Sequence, residues 1–144
     1  MYRQVSLLLI YDKEKFLLQL RDAKVSILYP NHWGGFAGTI EQNENPKEAA
    51  YRELFEELEV IPNKLDFFQT FSVPSDYASI HVFSCILENE LQNKIKLKEG
   101  QEMGWFTPND IFSGSLYSSK MLQYFPVTAP LLPILKSFCS ETSY

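Results

Sequence analysis

Three glutamates, Glu53, Glu56 and Glu57, stand at spacing i, i+3, i+4. On a helix each residue turns about 100°, so these three carboxylates project from one side. At ~6 Å and an effective dielectric of ~20, each pair repels by about 3 kcal/mol. Arg52 offsets part of this, because Glu56 lies four residues after it. A divalent cation offsets more. All the candidate ligands are oxygens, which favours Mg²⁺ or Mn²⁺ over zinc. A solvated acidic face is the ordinary reading of such a charge run, so the surroundings must decide.

The element that positions the glutamates reads as a helix from Pro46 to Glu59. Asn45 can cap it, Pro46 suits its first position, and Glu48 completes a capping box. Tyr51, Leu54, Phe55 and Leu58 form an apolar stripe that can dock on a sheet. Ala49 and Ala50 leave room for close approach. Upstream, Arg3–Tyr11 and Lys15–Leu20 read as strands joined by a turn at 12–14, a hairpin. Arg21–His32 is a polar loop, and Trp33–Glu41 is Gly-rich with short extended pieces. Downstream, Leu65–Val73 and Tyr77–Leu87 are strands around the turn 74–76. Met103–Phe106 is a short strand, with a helix start after it, and Ala129–Cys139 is a last helix. This interleaving predicts an α+β fold, a mixed β-sheet covered on both faces as an α/β/α sandwich, with residues 1–144 forming one domain.

The stretch from Gly38 to Val60 closely resembles the box of the Nudix hydrolase family. That box is Gly, five residues, Glu, seven residues, Arg-Glu, an aliphatic residue, any residue, Glu-Glu, any residue, Gly, then an aliphatic residue. Gly38, Glu44, Arg52, Glu53, Leu54, Glu56, Glu57 and Val60 fall in register. Matching the six Gly, Glu and Arg positions by chance in a chain this long is on the order of a few in a million. Two departures stand out. Glu59 replaces the Gly near the end of the box, where a left-handed residue ends the helix. The glycine pair at its start reads Ala37-Gly38.

The resemblance implies a Nudix-fold enzyme, MutT-like, that cuts a diphosphate linkage in a nucleotide-like substrate with Mg²⁺, or Mn²⁺, as cofactor. It implies that Glu53, Glu56 and Glu57 bind metal, with Glu53 also a candidate general base. It implies that Arg52 orients the carboxylates and that Gly38 lets the loop pass close to the helix. The Ala37 carbonyl would serve as a further metal ligand. The segment Lys98–Phe106 resembles the one that supplies another acidic ligand; Glu99 is the first choice and Glu102 the second. Arg21 occupies a place that resembles one where the family presents a cation to substrate phosphates or base. Tyr29, Trp33, Phe36 and Phe83 are candidates for stacking on a base, Trp33 and Phe36 foremost.

The implied chemistry is attack of water on phosphorus. Divalent metal neutralises the diphosphate and acidifies the water, and a carboxylate takes its proton. Nucleoside triphosphates, nucleotide sugars, ADP-ribose and dinucleoside polyphosphates all remain open as substrates. A non-catalytic nucleotide sensor on the same fold is the alternative, but such a protein would be expected to lose metal glutamates. An isoprenoid diphosphate isomerase would need a cysteine near the box, and neither Cys85 nor Cys139 lies there.

Composition sets the remaining bounds. The chain carries a net charge of −5, which disfavours nucleic acid polymers and anionic membranes as partners. No apolar run is long enough to span a bilayer. Two cysteines make no disulfide framework, which predicts a cytoplasmic protein. A homodimer is compatible with the sequence and not required by it.

Overall fold

The computed structural model describes residues 1–142. Strand β1 (Arg3–Asp12) lies at the centre of the sheet. Its run Leu7-Leu8-Leu9-Ile10 is buried without interruption, so both faces of the strand must be covered. Strand β2 (Lys15–Leu20) returns antiparallel to it, with Ile10 opposite Leu17. The short strands β3 (Trp33–Gly34) and β4 (Phe36–Thr39) carry the Gly-rich segment. β3 pairs with β2, and β4 pairs antiparallel with β1, Leu7 facing Ala37.

Helix α1 (Pro46–Leu58) follows, then strands β5 (Asp66–Val73) and β6 (Ala78–Ile86). β6 runs parallel to β1 in unbroken register from Arg3–Ala78 to Tyr11–Ile86. β5 pairs antiparallel with β6, with an irregularity between Phe67 and Gln69. Helix α2 (Asn89–Gln92) leads to β7 (Glu102–Phe106), antiparallel to β2. Helix α3 (Pro108–Phe112), the hairpin β8 (Ser115–Ser118) and β9 (Gln123–Pro126), and helix α4 (Leu131–Glu141) complete the chain. The sheet is mixed, in the order β3-β2-β1-β6-β5, with β4 and β7 attached to β1 and β2.

Alternation along β1 divides the core. Val5, Leu7 and Leu9 face α4, which buries Leu131, Ile134, Leu135 and Phe138. Leu8 and Ile10 face α1 and its Leu54 and Leu58. Each such side chain contributes about 1.5–3 kcal/mol when fully buried. The expected α/β/α layering is the observed one. Two elements differ from expectation. The hairpin β8–β9 was not anticipated, because its four-residue strands carry too few apolar positions to show a period. Helix α4 starts at Leu131, two residues later than expected, after Pro130. Among the described residues no helix is long and apolar enough to cross a membrane.

Candidate active site

Helix α1 begins as its sequence dictates. Asn45 accepts from the Glu48 amide at 2.8 Å, and the Glu48 carboxylate accepts from the Asn45 amide at 2.9 Å. The helix ends at Glu59, which adopts the left-handed conformation (φ 57°, ψ 33°) and donates its amide to the Phe55 carbonyl. A carboxylate side chain thus stands where glycine is the easy residue. Glu59 makes an ion pair with Lys98 at 2.8 Å, which holds its carboxyl below the usual range. That pair is open to solvent and returns little. Glu59→Gly should therefore raise the unfolding midpoint slightly, by up to ~3 °C, and leave turnover near normal. A lower midpoint in thermal unfolding would show that the Lys98 pair outweighs the backbone strain.

The docking stripe is rotated from the one expected. Phe55 is 51% exposed, whereas Glu57 is 2% exposed. The buried side is Ala50, Leu54, Glu57 and Leu58, at i, i+4, i+7, i+8. The three glutamates therefore meet three environments. Glu56 is on the solvent side. Glu53 is partly buried beside the sheet. Glu57 points into the protein against β2.

Arg52 organises the solvent side. Its Nε donates to Glu44 at 2.7 Å, Nη1 to Glu53 at 2.8 Å and Glu56 at 3.0 Å, and Nη2 to the Thr39 carbonyl at 3.0 Å. Glu41 lies at 3.6 Å. Surrounded by carboxylates, the guanidinium is held more firmly protonated than usual, Glu44 contributing most. Glu44 lies in register with the box, and its work here is to hold Arg52.

Glu53 lies against the Gly38 backbone. A Cβ at position 38 would fall 2.0 Å from the Glu53 carboxyl carbon. Burial pushes the Glu53 carboxyl up, and the Arg52 hydrogen bond pulls it back. Glu57 is more extreme. One oxygen accepts from Gln19 Nε2 at 3.2 Å, and Oε2 is buried with no hydrogen-bond partner. Burial pushes this carboxyl up to about 8, against the Gln19 hydrogen bond. Gln19 escaped the sequence reading. Its signal was a lone amide in the otherwise apolar KFLLQL strand.

The loop after α2 is fastened to the end of α1. Lys96 N donates to the Leu58 carbonyl at 3.1 Å and Lys98 N to the Glu57 carbonyl at 2.8 Å. These bonds satisfy two terminal carbonyls of the helix. They also bring Glu99 within electrostatic reach of Glu53 and Glu57, where it raises both carboxyls. Glu102, the second choice, is held elsewhere: it accepts from Ser118 Oγ and the Ser119 amide.

The donor set suits a hard divalent cation. Glu53 and Glu57 carry partly or wholly buried oxygens, one of them without a partner, and Glu99 adds a third negative charge. Ala37 lies in β4 immediately before Gly38 and lines the adjoining cavity. As they stand, no three His, Cys, Asp or Glu side chains among the described residues close around one point. Glu56 is turned toward Arg52, and so is the accessible oxygen of Glu53.

A cavity of about 630 Å³ opens beside these residues, along the face of β1 that carries Arg3, Val5 and Leu7. Arg21, Gly38, Tyr29 and Thr128 also line it. Arg21 Nε donates to the Leu28 carbonyl at 2.9 Å. The Tyr29 hydroxyl donates to Asp76, spanning the loop and the β5–β6 turn, and burial pushes that phenol up to about 12. Trp33 and Phe36, expected to stack on substrate, are wholly buried. Trp33 packs on Phe106 and donates Nε1 to the Leu116 carbonyl, while Phe36 packs with Leu54 and Leu58 under α1. Both rings are turned into the cores on the two faces of the sheet. Phe83 is likewise core, and Tyr29 is the expected stacking residue that does face the cavity.

The NUDIX domain family model matches residues 1–125. No curated protein sequence gives a significant match. Among solved structures, a MutT/nudix family protein from Enterococcus faecalis is 20% identical with a TM-score of 0.62, covering 74% of this chain. This chain spans only 44% of that protein's length. A MutT studied from Aliivibrio salmonicida and Vibrio cholerae is 18% identical, with a TM-score of 0.72 over 99% of this chain and 100% of that one. The NUDIX domain of Shewanella oneidensis NrtR, complexed with ADP ribose, is 13% identical, with a TM-score of 0.73 over 99% and 90%. At these identities the likeness to solved structures is one of fold.

Proposed function

Because this chain belongs to the NUDIX domain family, we propose that it hydrolyses a diphosphate linkage in a nucleoside diphosphate derivative, by attack of water at phosphorus. The observation that carries this reading is Glu57: a buried carboxylate with one oxygen unpartnered, within electrostatic reach of Glu53 and Glu99. Burying such a group without a counter-charge costs several kcal/mol in general, so a structural role would be poorly served by it.

Glu53, Glu57 and Glu99, with the Ala37 carbonyl and Glu56 after rotation, would hold Mg²⁺ or Mn²⁺. Bound there, a divalent cation neutralises diphosphate oxygens and makes a coordinated water acidic enough to attack. Glu53 is the proposed proton acceptor, because Gly38 lets its carboxylate sit at the sheet edge beside the cavity. Arg52 fixes the rotamers of Glu53 and Glu56, and Arg21 faces the negative charge of the substrate. We read residues 1–144 as one domain. We place it in the cytoplasm, because two cysteines make no disulfide framework.

The test is a panel of nucleoside triphosphates, nucleotide sugars, dinucleoside polyphosphates and ADP-ribose, with Mg²⁺ and Mn²⁺ and products identified by mass. ADP-ribose belongs there because the NrtR domain is complexed with it. Release of a nucleoside monophosphate is the expected result. Turnover should vanish in excess EDTA and return with Mg²⁺; turnover that persists in EDTA contradicts the proposal. Binding of panel compounds without cleavage would favour a nucleotide sensor.

A further inference from the structure

The chain has three arginines, Arg3, Arg21 and Arg52. Arg52 is spent on carboxylates. The other two both line the cavity beside Gly38, and among the described residues neither makes an ion pair. Asp76, the acidic side chain lining that cavity, is occupied by the Tyr29 hydroxyl. In a chain with 18 acidic and 13 basic residues, two guanidiniums in one cavity, neither in an ion pair among the described residues, are an uneven placement.

Their order along the cavity is set by the strands. Arg3, Val5 and Leu7 alternate onto one face of β1, and Leu7 pairs with Ala37 at the glutamate end. Arg3 thus begins about 13 Å farther along the strand than Leu7. Arg21 lines the same cavity and lies close enough to both Glu57 and Arg3 for each to act on its charge. Val5, Leu7 and Ile80 supply an apolar floor between the two ends. A diphosphate at the glutamates would reach Arg21, and the moiety attached to it would run over the floor toward Arg3.

We propose that Arg3, together with Arg21, forms a subsite for a second anionic group, a phosphate monoester on the cavity-side nucleoside, so that the preferred substrates are diphosphate derivatives of a phosphorylated nucleoside. This rests on the reading of the cavity as the substrate site. Guanidinium donors match phosphate oxygens in pairs, and charge-assisted bonds of this kind each change affinity by about ten-fold or more.

The experiment uses matched pairs that differ only in that phosphate: ADP-ribose against its 2′-phosphate, and NADH against NADPH. Binding is measured by calorimetry with Mg²⁺ for the unmodified protein and for Arg3→Gln, with turnover followed in parallel and folding checked by thermal unfolding. The expected result is at least ten-fold tighter binding of the phosphorylated member of a pair, with that ratio falling to near one in Arg3→Gln. Equal binding within each pair, a ratio unchanged by Arg3→Gln, or no binding of any of the four at millimolar concentration overturns the subsite. A collapsed ratio without turnover keeps the subsite and removes the hydrolytic reading, so the two fail separately. Arg3→Lys is the second variant: it retains charge without the paired donors and should keep part of the preference.

Discussion

Gly38→Ala should abolish most turnover while the protein stays folded. The cause is local. The added Cβ would occupy the space of the Glu53 carboxyl carbon, 2.0 Å away. The group that must move is the end of a flexible side chain, so relief is cheap for the fold. Gly38 has ordinary strand geometry, opposite Ser6 in β1, so alanine introduces no backbone strain. Stability should fall by no more than about 1 kcal/mol. The displaced carboxylate, however, is the proposed proton acceptor and metal ligand. A shift of about 1 Å in such a group typically costs a hundred-fold in rate. Expected, then, are a kcat reduced at least ~100-fold, a weaker response of thermal stability to Mg²⁺, and an unchanged circular dichroism spectrum. Full activity in Gly38→Ala would show that Glu53 does not need its place beside the sheet. The assignment of the catalytic face would then fail at its centre.

How far the sequence disclosed this site depends on which force places each residue. The order of strands was legible because β1, β2, β5 and β6 are long and apolar enough to show their period. The helix was legible from Asn45, Pro46 and Glu48, whose local hydrogen bonds depend on nothing distant. Its buried face was not. Tyr51, Leu54, Phe55 and Leu58 look like the stripe on hydrophobicity alone, yet the helix turns Glu57 inward and leaves Phe55 in water. A buried carboxylate held by Gln19 runs against the apolar pattern, and hydrophobic periodicity cannot register that. Trp33 and Phe36 failed for a related reason: aromatic residues in a Gly-rich segment suggest a binding loop, but here that segment is strand, and its rings point into two separate cores. Gln19 and Asp76 act on partners 38 and 47 residues away, a pairing that only the folded chain creates.

Glu57→Gln should raise the stability of the metal-free protein at pH 8 and remove most turnover. Glu57 is 2% exposed, and one of its two oxygens has no partner. Burial, the largest influence, pushes the carboxyl from 4.5 up to about 8. The sign follows from linkage. A carboxyl raised in the folded state penalises the ionised fold. Its favourable contribution is fully present below pH 4.5 and is lost as pH rises through 8. Glutamine has the same shape, can accept from Gln19 Nε2 as the carboxylate does, and cannot ionise. In EDTA the two proteins should match near pH 5. At pH 8 the variant should be more stable by on the order of 3 kcal/mol, a midpoint roughly 5–10 °C higher. Mg²⁺ should reverse the comparison, since the ion stabilises the form that binds it and the variant lacks that ligand. Turnover should drop by about 100-fold or more. Glu48→Gln is the control on the same helix: its amide oxygen can still serve the capping box, so it should cost at most ~1 kcal/mol and keep catalysis. Parallel stability–pH curves for Glu57→Gln and the unmodified protein in EDTA would show that Glu57 is not a strained acid. Equal loss of turnover in Glu48→Gln and Glu57→Gln, both folded, would move the chemistry off this face of the helix.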